Sequence, residues 1–222
     1  MPSIAPFADR ADAGNQLVAA LPDLPARSTV VVALPRGGVP VAEEICKAFH
    51  LPLDLVFVRK IGVPGQPVVA IGAIVDGLNP NIIINERVAR RSGIPKAEIE
   101  EMGYALLPEI ERRKALYFKG IRRPVLKDKT LVVVDDGIAT GTTLRASLDA
   151  LRHSAAAGII VAIPTAPPDV LRSLQDVADE IICLHQQSPF WSVGSAYRHF
   201  PQTSDAEVIQ ALKRCAAFDG TT

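Results

Sequence analysis

Leu131-Val132-Val133-Val134-Asp135-Asp136-Gly137-Ile138-Ala139-Thr140-Gly141-Thr142-Thr143 is the stretch from which the fold can be read. Its apolar start, Leu131 to Val134, suits a strand covered on both faces. Gly137 and Gly141 then release the backbone, and Thr142 opens a helix that Leu144, Leu148 and Leu151 continue. The first amides of a helix have no partner inside it, and together with the helix dipole they attract an anion. Thr140, Thr142 and Thr143 add hydroxyl donors to that cradle. A nucleoside triphosphate loop needs a longer glycine spacing and a Lys before its Ser or Thr, so this is not an ATPase or GTPase signature. It is not a dinucleotide fold either, because the carboxylates precede the cradle instead of lying one strand later. Two carboxylates beside a monophosphate cradle point to a sugar phosphate.

Outward from this stretch, strand-like and helix-like runs alternate. Residues 29–34, 53–58, 68–75, 158–163 and a last run near 180–184 read as strands, and 39–49 and 142–153 as helices. Residues 8–21 form an N-terminal helix with Leu17, Val18 and Leu21 on one stripe, ended by Pro22 and Pro25. Residues 164–168, bounded by prolines, read as a loop after a strand. The fold class is therefore α/β, a parallel sheet flanked by helices, with the chain 1–222 expected to form a single domain. In such sheets ligands bind beyond the carboxyl ends of the strands, where the loops after Leu34, Val58 and Val134 converge. Residues 85–119 have helical spacing, restart at Pro95 and bend or break at Pro108, which makes them a helical insertion. Their Arg90-Arg91 and Arg112-Arg113-Lys114 clusters are interleaved with glutamates, so they read as a solvated face without chemistry.

Composition narrows the partners. Twenty-four basic and 24 acidic residues cancel, so no charge excess proposes nucleic acid or an anionic membrane. Cys46, Cys183 and Cys215 are far apart and lack metal-ligand spacing, which suits reduced thiols in a cytoplasmic protein. No secretory signal or bilayer-spanning apolar run is apparent, and a soluble, cytoplasmic protein is expected. His50, His153, His185 and His199 show no metal spacing, and no Ser or Cys sits in a nucleophile elbow.

Three further constellations sit at or beyond strand ends. In Ala33-Leu34-Pro35-Arg36-Gly37-Gly38, two glycines let amides approach an anion and Arg36 can bind phosphate oxygens in bidentate fashion. Val58-Arg59-Lys60-Ile61-Gly62-Val63-Pro64-Gly65-Gln66-Pro67 is basic and then rich in Gly and Pro, the composition of a mobile loop over a site, although a strand-end basic pair facing solvent has the same appearance. Residues 186–200 gather Phe190, Trp191, Tyr197 and Phe200 from a chain with only eleven aromatic residues. Such a group suits stacking on a flat ligand, and it equally suits packing or a dimer contact.

Residues 131–143 resemble the 5-phosphoribosyl-1-pyrophosphate (PRPP) motif of the type I phosphoribosyltransferases, with apolar residues, two acids and a Gly/Thr-rich turn in that order. The resemblance covers roughly residues 29–184 and is strongest over this motif. It implies that Asp135 and Asp136 face the ribose hydroxyls, and that Gly137 and the turn Ile138, Ala139, Thr140, Gly141, Thr142 and Thr143 hold the 5'-phosphate. The segment around Arg36, Gly37 and Gly38 resembles the family's pyrophosphate loop, which often carries a non-proline cis peptide. The resemblance further implies a flexible loop that brings Lys60, or second to it Arg59, to the pyrophosphate. Residues 186–200 would form a small hood in which Trp191 or Tyr197 stacks on the acceptor.

The implied reaction moves a 5-phosphoribosyl group from PRPP to a nitrogen acceptor, a nucleobase or related compound, and releases pyrophosphate. Asp135, Asp136, Lys60 and Arg36 are its implied catalytic residues. Mg²⁺ would arrive with PRPP near Asp135 and Asp136, and the family leads one to expect a homodimer. Two alternatives keep the fold without the reaction, a PRPP-binding sensor and a protein acting through assembly contacts. Retention of Arg36 and Lys60 with a lid-like loop, and the lack of a basic surface, favour the enzyme.

Overall fold

The structure is a computed structural model that describes residues 6–76 and 80–218, with the side chains of Pro67, Val68 and Asn81 outside the description. Its centre is a five-stranded, all-parallel sheet in the order β2-β1-β6-β7-β8, formed by β1 (Thr29–Ala33), β2 (Leu53–Leu55), β6 (Thr130–Val134), β7 (Gly158–Ala166) and β8 (Glu180–Gln186). The register aligns Val30 with Leu131 and Ile159, and Val31 with Val132 and Ile160. Because side chains alternate across a strand, these two rows face opposite layers.

One layer packs Val31, Val132 and Ile160 with Leu17 of α1 (Arg10–Ala20), Ile45 of α2 (Gly38–Phe49) and Leu212 of α8 (Asp205–Ala216). The other packs Val30, Leu131 and Ile159 with Leu144, Leu148 and Leu151 of α6 (Thr142–Arg152) and Leu171 of α7 (Pro168–Arg172). Burial on both sides explains why β1 and β6 are continuous β-branched and leucine runs.

A second sheet is antiparallel, in the order β3-β4-β5, from β3 (Val58–Val63), β4 (Gln66–Val75) and β5 (Asn81–Ile84). Val58–Pro67, expected as a mobile loop over the site, is thus largely a hairpin that turns at Pro64-Gly65. Val58, Ile61 and Val63 supply the strand propensity, and Gly65, at φ 76°, the turn. The strand expected over 53–58 ends at Leu55, and Val58 already belongs to the next sheet. The loop expected over 164–168 is displaced as well, since β7 runs on to Ala166. The ladder with β6 stops at Ala162, so Pro164 withholds no donor on that side.

The helical insertion comprises α3 (Glu86–Ser92), α4 (Lys96–Tyr104) and α5 (Leu107–Tyr117), restarted at Pro95 and broken before Pro108. Ile99 of α4 packs on Ile61 and Ile71, which joins it to the second sheet. Arg123 binds Asp54 at 2.9 Å and Asp76 at 3.3 Å, and Lys114 of α5 adds a 2.8 Å contact to Asp76. This network fastens the insertion to the edge of the parallel sheet. Burial holds the Asp54 carboxyl above its ordinary range, with Arg123 opposing that rise. Cys46 and Cys215 are buried free thiols, and burial pushes Cys46 upward. No helix among the described residues is long and apolar enough to cross a membrane.

Candidate active site

Two loops meet at the carboxyl ends of the neighbouring strands β1 and β6. Leu34 N–H donates to Val134 O at 2.9 Å, which carries the pairing of β1 and β6 into the loops. The Pro35–Arg36 peptide that follows is cis. A Cβ on Gly38 would lie 2.6 Å from Val134 O, and one on Gly37 would lie 2.2 Å from Asp136 Oδ2. Only glycine allows the Arg36 loop to sit this close to the acidic pair.

Asp135 Oδ1 accepts the Asp136 N–H at 2.9 Å. Asp136 Oδ2 accepts Arg10 Nε at 2.8 Å, with both side chains nearly buried. Burial first, and the neighbouring Asp136 charge second, push the Asp135 carboxyl well above the carboxylate range. Burial also raises Asp136, while the Arg10 guanidinium pulls it back down. The remaining oxygen of each carboxylate takes no hydrogen bond among the described residues.

Beyond the acids, Gly137 passes between Thr165 and Val193, where a Cβ would come within 2.9 Å of one and 2.6 Å of the other. Gly141, at φ 72°, sits in the left-handed region just before α6. The first intrahelical bond there runs from Arg145 N–H to Gly141 O, which leaves the Thr142, Thr143 and Leu144 amides as the helix's open donors. Ala139, Thr140, Thr142 and Thr143 are exposed around that end. Ile138, expected in the cradle, is turned away from it. Its side chain is buried in the core, and its N–H is spent on Thr165 O at 2.9 Å.

Arg36 reaches Asp205, at the start of α8, at 3.2 Å, and Tyr117 of α5 donates to the same oxygen at 2.6 Å. Burial and the Asp205 charge push the Tyr117 hydroxyl up to about 12. Arg59 is held by Glu109 of α5 at 3.1 Å. Lys60 is exposed on β3, opposite Ala73 and on the other face from Arg59.

The aromatic stretch divides. Trp191 is 83% exposed, whereas Tyr197 is buried and has no face to offer a ligand. Tyr197 packs between Phe7 and Phe200, at centroid distances of 5.4 and 4.9 Å, and its hydroxyl donates to Asp136 O at 2.5 Å. The stacking role expected for Tyr197 is corrected accordingly. The ring lies inward, and its hydroxyl finds a half-buried acceptor on the acidic loop. The segment carries a short 3₁₀ helix (Val193–Ala196) and is paired to the N-terminal residues, since Phe7 N–H donates to Ala196 O at 2.8 Å.

The sequence matches the Phosphoribosyl transferase domain family over residues 10–198. The chain belongs to that family. Two Mycobacterium tuberculosis relatives, named "Putative phosphoribosyl transferase MT0597" (strain CDC 1551) and "Putative phosphoribosyl transferase Rv0571c" (strain H37Rv), are each 42% identical over 209 residues. Those residues are 94% of this chain and 46% of each relative, so the chain spans about half the length of these curated relatives. The crystal structure of TT1426 from Thermus thermophilus superposes with a TM-score of 0.81 at 32% identity, covering 94% of this chain and 98% of that one.

Arg10, Tyr117 and Asp205 are the site neighbours that sequence reading does not pick out. Arg10 lies 126 positions from Asp136, and no local pattern links them. Asp205 has one local signal, the Ser204 capping box, which marks the start of α8 but not what the carboxylate reaches.

Proposed function

We propose that this phosphoribosyl transferase family member binds PRPP and transfers its 5-phosphoribosyl group to a nitrogen acceptor, releasing pyrophosphate. The observation that carries the reading is the contact of the Gly37-Gly38 loop with the Asp135-Asp136 pair, directly before an open helix N-terminus. An anion-attracting turn, two carboxylates and an arginine loop thus share adjacent strand ends. The relatives named as phosphoribosyl transferases support the same reaction.

In this reading Ala139, Thr140, Gly141, Thr142 and Thr143 hold the 5'-phosphate through the open amides and hydroxyls at the head of α6. The free oxygens of Asp135 and Asp136 accept the ribose hydroxyls. Arg36, with the Gly37 amide, takes the pyrophosphate, and Lys60 approaches from the hairpin; the Gly38 amide is already spent on Leu34 O at 3.1 Å. Arg59, paired with Glu109 of α5 at 3.1 Å, is the second candidate. Trp191, exposed on the hood segment, is left as the stacking surface for the acceptor.

Breaking the anomeric bond leaves positive charge on the sugar and negative charge on pyrophosphate, so the residues act mainly by placing countercharges and holding geometry. The carboxylates lie on the sugar side and the cations on the leaving-group side. No cluster of three or more His, Cys, Asp or Glu among the described residues forms a metal cage. Two hard carboxylates, each with an unused oxygen, nevertheless fit a Mg²⁺ that keeps its waters and is carried on substrate phosphates. Asp135 and Asp136 would hold it, and it would supply neutralisation of the leaving pyrophosphate.

The test is calorimetric titration of Mg·PRPP into the protein and into Asp136→Asn, followed by pyrophosphate release with candidate nitrogen acceptors. Binding that weakens at least tenfold in the variant, with acceptor-dependent release, is the expected result. Wild-type protein that ignores Mg·PRPP would overturn the assignment.

A further inference from the structure

The two arginines nearest the acidic loop are held in different ways. Arg10 is nearly buried and enclosed. Its Nε donates to Asp136 at 2.8 Å, its Nη1 to Pro201 O at 2.6 Å, and its guanidinium lies 3.7 Å from the centroid of Phe200, which stacks on Tyr197. Arg36 has a side chain 30% exposed. Among the described residues its guanidinium meets one partner, Asp205, whose Oδ1 accepts Nη1 at 3.2 Å. The other edge of that planar fork stays open, in the shape that takes two oxygens of a phosphate.

Asp205 is itself fixed from two sides. It is the first residue of α8, where the Ser204 hydroxyl caps the helix by accepting the Glu207 N–H at 3.2 Å, and a carboxylate in that first turn is favoured by the helix dipole. From the other side Tyr117, the last residue of α5, donates to the same Oδ1 at 2.6 Å. The Tyr117 ring is buried and stacks on Phe57 at a centroid distance of 6.0 Å, so its hydroxyl is held by the core. Arg112 and Arg113, about one turn earlier on α5, lie within electrostatic reach of Asp205 but are engaged by Glu109 at 2.8 and 2.9 Å. The helical insertion therefore ends in a hydroxyl that reaches, through one carboxylate, the arginine of the β1 loop.

We infer that Asp205, braced by Tyr117, is a positioning residue for Arg36, holding one corner of the guanidinium so that its free edge is ready for an anion. An ion pair this exposed adds little to fold stability, so its effect lies in where the guanidinium points. A long side chain ordered before the ligand arrives removes rotamer entropy from the cost of binding. The helical insertion, whose charged face carries no chemistry of its own, thereby takes part in the site through its last residue. The consequence for pyrophosphate rests on the PRPP reading above, whereas the order imposed on Arg36 does not.

The experiment compares wild type with Asp205→Ala, Asp205→Asn, Tyr117→Phe and Arg36→Ala, each first checked for an unchanged circular dichroism spectrum. The first readout, without ligand, is the ¹⁵N order parameter of the Arg36 Nε–H, assigned with Arg36→Ala. It should fall clearly in Asp205→Ala and less in Asp205→Asn, which keeps the accepting oxygen but loses the charge. A smaller fall is expected in Tyr117→Phe, which keeps the ring and releases the carboxylate. The second readout is calorimetric affinity for Mg·PRPP and for ribose 5-phosphate, which carries the same sugar phosphate without pyrophosphate. Affinity for Mg·PRPP should fall about three- to tenfold in Asp205→Ala, the cost of ordering one long side chain, and recover in part in Asp205→Asn. Affinity for ribose 5-phosphate should hold in Asp205→Ala. Combining Arg36→Ala with Asp205→Ala should cost no more than Arg36→Ala alone, since the two act as one unit. An unmoved order parameter in Asp205→Ala would overturn the proposal. So would a loss equal for both ligands, which marks a general structural effect, or an Mg·PRPP affinity that holds or rises, which makes Asp205 a competitor of the anion. A wild type that binds neither ligand would remove the function reading alone, and the order of Arg36 would still decide the role of Asp205.

Discussion

Gly37 and Asp136 stand so close that a single methyl group cannot be placed between them, the distance from an added Cβ to Oδ2 being 2.2 Å. Asp136 cannot swing aside without giving up Arg10. Gly37→Ala should therefore disturb the Arg36 loop and the acidic pair together. Displacements of about 1 Å at a reacting centre cost on the order of 10²-fold, and a loss of that size in PRPP turnover is expected with the fold intact. Steady-state kinetics beside a thermal melt checks it.

Acid should weaken PRPP binding earlier than ordinary carboxylates would. Burial, then mutual repulsion at Asp135, raise both acids, so protonation begins above the usual carboxylate value of about 4 as pH falls. Affinity for Mg·PRPP measured from neutral pH downward should drop in that window, with a flatter profile in Asp136→Asn. The contribution of these groups to fold stability has the opposite sign. A raised folded-state value means the native protein holds the proton more tightly, so their contribution is greatest in acid and is lost as pH rises through the folded values.

Tyr117 should ionise late. Its hydroxyl donates to Asp205 and is pushed up to about 12. The stability it contributes is complete below its unfolded value of about 10 and is lost as pH rises through about 12. An alkaline absorbance titration should show a late phenolate step that Tyr117→Phe removes, and the variant should lose about 1 kcal/mol of stability at neutral pH.

Arg123→Met should be among the costlier substitutions outside the site. It leaves Asp54, whose side chain is 2% exposed, without its ion partner, and Asp76 with Lys114 alone. Breaking a buried pair from one side costs about 3–5 kcal/mol, which urea denaturation would report.

The parallel sheet is legible because β1, β6 and β7 are buried on both faces and therefore carry unbroken apolar runs, each ending at a change in chemistry. The acidic pair and the glycine turn are legible for the same reason, as their spacing is local. The hairpin Val58–Val75 escapes the sequence because its Pro64-Gly65 turn has the composition of a longer loop, although Val58, Ile61 and Val63 carry strand propensity. Tyr197 misleads because composition shows an aromatic but not the distant carbonyl that claims its hydroxyl. Arg10 and Asp205 are invisible because their partners lie 126 and 169 positions away and are chosen by tertiary packing alone.

Arg10 and Pro201 are separated by 191 positions, yet one hydrogen bond joins them beside the acidic loop. Contacts this far apart in sequence close late, since the intervening chain must first be organised. A nascent chain that has reached Thr143 already holds Arg10, both aspartates and the Gly/Thr turn. It still lacks the tyrosine, phenylalanine and proline that fix the arginine. Competence for the PRPP binding proposed above should then arrive as a step near the end of synthesis of this region instead of growing with chain length. A shortened translation product would fold much of the sheet and still present a slack acidic pair.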